Sequence, residues 1–301
     1  MACIRQAWLV LGGQTLLLED PTNGYFCQSL DLGAPTVREN TTPKPNRSGL
    51  HDWTQFFGGR VITASITAVE SASPTQGLDG AASLFSPYMD PSQRPELHYV
   101  LDRPGAAERF FTLHGTAYDW PIAGAAQRNI NLQWTAADPY AKDPNTQTAT
   151  SWAGTGAAGR TYPLTFNRAY PAGSVPSIWA RPVSHGDVGV APLLRFYGPM
   201  AAPALTFYVA LGSTSVATYY VNFLSSYTIG AGQWVDVDCS ARTVYANSDP
   251  TQNVAAQIDW SRGAPWVLLM PAPYVNQFGV SAGATTGVSQ VQCIWNDRYL
   301  T

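Results

Sequence analysis

Five residues carry the sharpest chemical signal in this sequence. Gly279-Val280-Ser281-Ala282-Gly283 has the Gly-x-Ser-x-Gly pattern of a nucleophile elbow. That chemistry needs the serine on a tight strand-to-helix turn, with an acid and a histidine following in chain order. The order fails here. His51, His98, His114 and His185 all precede Ser281, and the next residues run through Ala-Thr-Thr-Gly into a strand-like stretch, Val288–Trp295. The motif reads as a hairpin loop between two strands, and no catalytic residue is expected.

Asp236 and Asp238 flank Val237. Side chains alternate along a strand, so both carboxylates share one face. Such a pair can bind a hard cation or act in glycoside hydrolysis. A solvent-facing edge of an amphipathic strand is the simpler account, with Val235 and Val237 on the other face. The histidines are scattered singly, without zinc-ligand spacing or a His-Glu-x-x-His pattern. Cys3, Cys27, Cys239 and Cys293 form no Cys-x-x-Cys motif. Free, mostly buried thiols of a reducing compartment are expected, with no metal and no cofactor. Asn40-Thr41-Thr42 and Asn46-Arg47-Ser48 match glycosylation acceptors, but by chance if no secretory signal precedes them.

Trp234, Trp260, Trp266 and Trp295 fall in the second half of the chain. Aromatics on a β-sandwich can form a sugar-stacking platform. They can also be core or subunit interface, where aromatics dominate the energetics. We favour core or interface, and keep Trp234 and Trp266 as candidate sugar contacts.

The elements that must position these residues are mostly strands. Short alternating runs recur at Ala7–Leu11, Thr15–Leu18, Arg60–Ala68, Glu96–Leu101, Arg109–Tyr118, Asn129–Thr135 and Tyr162–Phe166, punctuated by Gly, Pro and Asn. Ala81–Met89 carries Leu84, Phe85 and Tyr88 at helical spacing, with Asp79 as N-cap. It predicts a short helix or helical turn, since Pro87 sits inside it. Asp138–Gly159 is rich in Ala, Thr, Gly, Asp and Pro, and suits a loop, a protruding hairpin or a linker.

Beyond Pro176 the strands become dense. They are expected at Leu193–Tyr197, Leu205–Leu211, Ala217–Leu224, Gln233–Cys239, Arg242–Asn247, Ala256–Trp260, Trp266–Met270, Val275–Val280 and Val288–Trp295. Gly230–Gly232 reads as the turn of a hairpin joining Tyr227–Ile229 to Trp234–Val237. Many short strands with even turn spacing argue for a sandwich or barrel. With 301 residues the chain suits two domains, and we place them at 1–160 and 161–301.

Composition narrows the function classes. Charged residues make up 12 % of the chain, against roughly 25 % in an average globular protein. Aromatics also make up 12 %, so the deficit does not mean disorder. A mostly neutral surface, much of it covered by partners, fits both values. The net charge of −3 excludes a basic nucleic-acid footprint. No apolar run approaches the roughly 20 residues of a membrane span. The short run Ala7–Leu11 ends at glycines, so no signal peptide is expected.

With these elements in place, an ordered set of motifs resembles the siphophage distal tail proteins. Phe56-Phe57-Gly58-Gly59-Arg60-Val61-Ile62 is similar to the glycine-arginine segment leading into their central strand. Asn131–Tyr140, ending in Ala137-Asp138-Pro139-Tyr140, resembles the close of their first domain. Val190–Pro199 is similar to the opening strand of their second domain, and Tyr227–Tyr245 to its middle hairpin. Trp266–Pro271 with Val275–Phe278 resembles a later strand pair, and Ile294–Leu300 the closing segment. Ala272-Pro273 departs from the pattern, which often has glycine after Pro271.

The resemblance implies a mainly β fold. Its first domain would be a β-barrel of the tail-tube type with a short helix, forming a ring. Its second would be a galectin-like β-sandwich. The implied role is structural: a homo-oligomer, usually hexameric, at the distal end of the tail in the virion, assembled in the host cytoplasm. Implied partners are the tail tube protein, the tail-tip hub and tail-associated proteins, and the tape measure protein. Neither nucleic-acid binding nor membrane insertion is implied.

Overall fold

The computed structural model describes residues 4–38, 41–43, 50–52, 56–69, 78–124, 127–153, 179–283 and 289–300. The expected strand Tyr162–Phe166 and residue Cys3 lie outside the described residues. Two compact units emerge, Met1–Pro144 with Leu300–Thr301, and Asn145–Tyr299. The sequence reading divides the chain at 160. In the structure, Gln147–Ala153 is a strand paired along its whole length with Ser289–Trp295, inside the second unit.

The first unit is built from strands β1 (Ile4–Leu11), β2 (Gln14–Leu17), β3 (Tyr25–Asp31), β4 (Arg60–Val69), β5 (Glu96–Leu101), β6 (Glu108–Thr112), β7 (His114–Asp119), β8 (Gln127–Ala136) and β9 (Ala141–Lys142). Helix α1 (Leu78–Phe85) lies between β4 and β5. One sheet contains the order β2-β1-β5-β6-β9, and the other runs β7-β8-β4-β3. Among the described residues neither sheet closes on itself. The barrel expected for this domain is therefore two open sheets, because closure would require the edge strands to pair.

Local chemistry explains the connections. Gly12 and Gly13 have φ of 57° and 81°, the mirror-image turn that suits a tight hairpin between β1 and β2. The run Arg109–Tyr118, expected as one strand, breaks at Leu113. That residue is fully buried and its N–H donates to Pro95 O at 2.8 Å. The chain thereby leaves one sheet as β6 and enters the other as β7. Asp79 lies inside α1 rather than before it, and the helix passes into a 3-10 turn at Ser86–Met89 that accommodates Pro87.

Alternation decides the core. Ile62, Ala64, Ile66 and Ala68 of β4 are buried, as are Ile130, Leu132, Trp134 and Ala136 of β8. From the other sheet come Leu9, Leu97, Tyr99 and Phe111. Tyr99 and Phe111 stack at 5.8 Å, and Phe85 of α1 meets Tyr25 edge-on at 5.7 Å. Arg60 is the exception among these apolar positions. It is fully buried, with its guanidinium 4.9 Å from the Phe111 ring. Nη1 donates to Gly33 O at 3.3 Å and Nη2 to Leu300 O at 2.8 Å.

The second unit contains β10 (Gln147–Ala153), β11 (Leu193–Tyr197), β12 (Ala204–Leu211), β13 (Thr214–Asn222), β14 (Trp234–Asp238), β15 (Thr243–Ala246), β16 (Val275–Ser281) and β17 (Ser289–Trp295). One sheet runs β10-β17-β11-β14-β15 and the other β13-β12-β16. Their inner faces share one apolar core, including Leu194, Phe196, Val235 and Val291 from the first and Leu205, Phe207, Val221 and Phe278 from the second. Phe207 and Phe278 stack across neighbouring strands at 5.9 Å. This is the expected β-sandwich.

Three expected features differ. Thr228–Ile229 pairs with Met200–Ala201, so Gly230–Gly232 joins two separate ladders and is not a hairpin turn. Ala256–Trp260 forms no strand; 3-10 turns occupy Ala255–Gln257 and Trp260–Arg262. Trp266–Met270 is extended, but its ladder is a single bridge between Leu269 and Val190. A side chain replaces the missing strand there. Asn276 Oδ1 accepts from Met270 N at 2.9 Å, and its Nδ2 donates to Met270 O at 2.8 Å. The departure at Ala272-Pro273 falls in the turn closed by Tyr274 N donating to Pro271 O at 3.0 Å.

Cys239 and Cys293 are free and buried, and Cys27 is free and half-buried. Burial pushes the Cys239 thiol up to about 12. The stability gained from holding this thiol neutral is fully present below about pH 9 and is lost as the pH rises toward 12. Comparing the parent with Cys239→Ala, the gap in Tm should shrink across that alkaline range. In the native protein, iodoacetamide should leave Cys239 and Cys293 unmodified until denaturant is added, as peptide mapping would show. Replacing Arg60 with alanine removes the donors to two carbonyls and should cost about 3 kcal/mol in urea unfolding.

Candidate binding surfaces

Each sheet turns one face to the core, so the opposite face is available to partners. In the first unit that face of the β2-β1-β5-β6-β9 sheet carries a row set by register: Leu17, Trp8, His98, Phe110 and Lys142. Trp8 stacks on His98 at 5.7 Å and His98 on Phe110 at 5.1 Å. Carboxylates flank the imidazole, Glu108 Oε1 at 2.6 Å from Nδ1 and Glu96 Oε2 at 3.1 Å from Nε2. His98, read from sequence as a lone surface or interface residue, is thus the centre of an aromatic row.

The outward face of the β7-β8-β4-β3 sheet is chemically different. Hydroxyls and amides meet across the strands: Ser65 Oγ donates to Asn131 Oδ1 at 3.2 Å, and Thr67 Oγ1 to Asn129 Oδ1 at 3.2 Å. Asn131 Nδ2 donates onward to Asp119 Oδ1 at 2.8 Å.

The second unit places the predicted residues on or near the outward face of the β10-β17-β11-β14-β15 sheet. Trp152, Gln290, Tyr197 and Trp234 form one row across four strands. Thr150, Gln292, Arg195, Asp236 and Tyr245 form the next. Thr148, Ile294, Leu193, Asp238 and Thr243 form the third. The intervening residues Val291, Phe196, Val235 and Val237 belong to the opposite, core-facing side and are buried.

Asp236 and Asp238 share this face, as period-two geometry requires, but not a task. Asp236 is almost fully buried, not solvent-facing as expected. Its carboxylate takes a bidentate grip from Arg195, with Nε to Oδ1 at 2.6 Å and Nη2 to Oδ2 at 2.9 Å. Ser248 Oγ donates to Oδ2 at 2.6 Å. Hydrogen bonding to Asp236 raises the Arg195 pKa further, fixing its charge. The guanidinium lies 5.6 Å from the Trp234 ring, whose Nε1 donates to Ser248 Oγ at 3.0 Å. Asp238 caps its own turn by accepting from Ser240 N and Ala241 N, both at 2.8 Å. Among the described residues no group of His, Cys, Asp and Glu is gathered as a metal site.

Trp266 does not join Trp234. It packs edge-on against Trp260 at 5.8 Å. The neighbouring Pro265 carbonyl lies 4.0 Å from Cys239 Sγ, beyond the opposite end of β14 from Trp234. Trp295, by contrast, is core, with Nε1 donating to Asp297 Oδ1 at 3.1 Å. Ser281 closes β16 and pairs with Ala204, so it sits on a strand and not on a strand-to-helix turn. The register also brings in Trp152, Tyr197 and Arg195, which sequence spacing did not connect to Trp234.

The Arg195–Asp236 pair is the chief electrostatic tie on this face. Asp236→Ala would leave a half-buried guanidinium without its carboxylate. It should cost about 2 kcal/mol in chemical denaturation, discounted from a fully buried pair because Arg195 retains solvent contact.

No protein-family model matches the chain, and no curated protein matches it. Solved structures do. The SPP1 Dit (gp 19.1) protein, described as a paradigm of the hub adsorption apparatus in phages infecting Gram-positive hosts, aligns with a TM-score of 0.58 and 13 % identity. The match covers 96 % of this chain and 98 % of that one. A chain of the phage P2 baseplate in its activated conformation with Ca is more distant, with a TM-score of 0.46 and 9 % identity over 96 % and 97 % of the two chains. This chain therefore has the fold of the SPP1 Dit protein along nearly the whole length of both.

Proposed function

We propose that this protein is a structural subunit of a bacteriophage tail tip, the distal tail protein whose ring joins the tail tube to the tip hub. The observation that carries the reading is the shared fold with SPP1 Dit across both units, at 96 % coverage. The ordered motif set, read independently from the sequence, points the same way. In this reading six copies form the ring at the distal end of the virion tail, assembled in the host cytoplasm. The tail tube protein would meet one side, and the hub, tail-associated and tape measure proteins the other. The second unit would be galectin-like and face outward. Ser281 has no hydrolytic role in it, and the parent protein should not cleave a chromogenic ester.

Ring formation needs apolar surface and strand edges. Leu17, Val37, Phe57, Val61, Val69 and Trp120 of the first unit are exposed in the single chain. Burying such side chains contributes about 25 cal/mol per Å². Edge strands such as β2 and β3 can add backbone pairing between neighbours.

A second reading, compatible with the first, is that the outer sandwich binds carbohydrate on the host envelope. The specific observation in its favour is the aromatic and hydrogen-bonding face around Trp234.

Light scattering on the purified protein should give an assembly of about six times the 32.4 kDa chain mass, with ring-shaped particles in negative stain. A strict monomer at high concentration, with no affinity for tail tube or hub protein, would sink the ring reading. Val61→Asp should lower the assembled fraction without lowering Tm of the monomer, because this side chain points away from the core.

A further inference from the structure

We infer that the outward face of the β10-β17-β11-β14-β15 sheet is a binding site for a neutral oligosaccharide, laid along the row from Trp152 to Trp234. The inference rests on the second reading above and assigns its site and ligand class.

Three observations carry it. The first is the row itself. Trp152, Tyr197 and Trp234 stand on one face, with Gln290 between the first two. Trp152 is 44 % exposed, and Tyr197 and Trp234 remain partly open. Aromatic rings present flat apolar surface to the C–H face of a pyranose while keeping few rotamers to freeze. Four strands at their usual spacing give the row a length of about 14 Å, enough for more than one sugar ring.

The second observation is the neighbouring row. Thr150, Gln292, Arg195 and Tyr245 supply hydroxyl, amide and guanidinium groups directly beside the aromatics, while the buried Asp236 between them holds Arg195. Sugar hydroxyls both donate and accept, and this row offers both. Its key polar group is already held in place: Arg195 is fixed by two hydrogen bonds to Asp236, and Ser248 fixes the far oxygen. Little conformational entropy remains to be lost on binding.

The third observation is charge. In the three rows the ionised side chains are Arg195, Asp236 and Asp238, and the one cation is matched by Asp236. The face carries no surplus positive charge. A phosphate-rich polymer would meet a net negative surface, whereas a neutral glycan meets donors and acceptors without that penalty.

The test titrates the full-length protein with a panel of neutral oligosaccharides containing galactose, glucose or N-acetylglucosamine, and separately with poly(glycerol phosphate). Tryptophan fluorescence and NMR shifts report binding. At least one neutral oligosaccharide should bind with a dissociation constant on the order of 1 mM or tighter. Trp152→Ala should weaken it about tenfold. Trp266→Ala should leave it unchanged. Gln290→Ala, a change on the same row, serves as the second probe should Trp152→Ala not fold. Binding that survives both row variants would overturn the site while the carbohydrate reading stands. The absence of binding by every neutral oligosaccharide would overturn both. A preference for poly(glycerol phosphate) would overturn the ligand class. Loss of assembly mass in Trp152→Ala, with no sugar binding in the parent, would show the face to be covered by a second copy of the chain and would also overturn the proposal.

Discussion

The first unit depends on a buried guanidinium. Arg60 occupies a core position at the head of β4 and spans the space between the two sheets, over the Phe111 ring. Burial pushes its pKa down, opposed by Tyr99 and Asp138, but arginine has enough margin to stay charged. A charge in that position is tolerable only with acceptors around it. Two of these are backbone carbonyls from distant parts of the chain, Gly33 and Leu300. One side chain thus gathers the loop after β3 and the returning C-terminal segment onto the same sheet. The preceding residues are shaped for it. A side chain at Gly59 would meet Ala136 O at 2.6 Å, and Gly33, at φ of 61°, would meet Val61 O at 2.0 Å. The glycine-arginine segment is therefore a packing device, with glycines allowing the close approach that the arginine then locks.

Both units apply the same division of labour. One face of each sheet is sealed in the core, and the outward faces described above are built largely from aromatics, hydroxyls and amides, with few charged side chains among them. This explains how a chain with 12 % charged residues remains ordered and presents specific surfaces. Several polar side chains on these faces are held by one another, Glu96 and Glu108 on either side of the His98 ring in the first unit and Asp236 on Arg195 in the second. Specificity on such surfaces comes from register, since cross-strand pairing decides which side chains become neighbours.

Legibility in the sequence follows from alternation. Glu96–Leu101 and Leu193–Tyr197 carry clear period-two patterns and appear with those bounds. Tyr25–Asp31 was not read as a strand, because its burial does not alternate at an edge of the sheet. Gln147–Ala153 falls in a stretch whose composition suits a loop, a protruding hairpin or a linker alike, since Thr, Ala and Ser disguise a strand whose partner lies about 140 residues away. Trp266–Met270 failed in the opposite sense. Val267 and Leu269 are buried, but Asn276 does the work of a neighbouring strand, which no local pattern reveals. Of the candidate site, Trp234 was visible as an aromatic at a strand start. Its separation from Trp266, and its alignment with Trp152 and Tyr197, were not.

The sequence by itself determined the β character, the two-domain length, the low charge content and the chain-order failure of the Ser281 motif, because each is a property of composition or of neighbours along the chain. The tertiary structure decided the rest. Sheet order and register turned isolated residues into rows, and the switch at Leu113 split one apparent strand between two sheets. Burial converted Asp236 from an expected surface carboxylate into the anchor of Arg195. Those outcomes depend on pairings between residues tens to more than a hundred positions apart, and no local periodicity encodes which strand lies beside which.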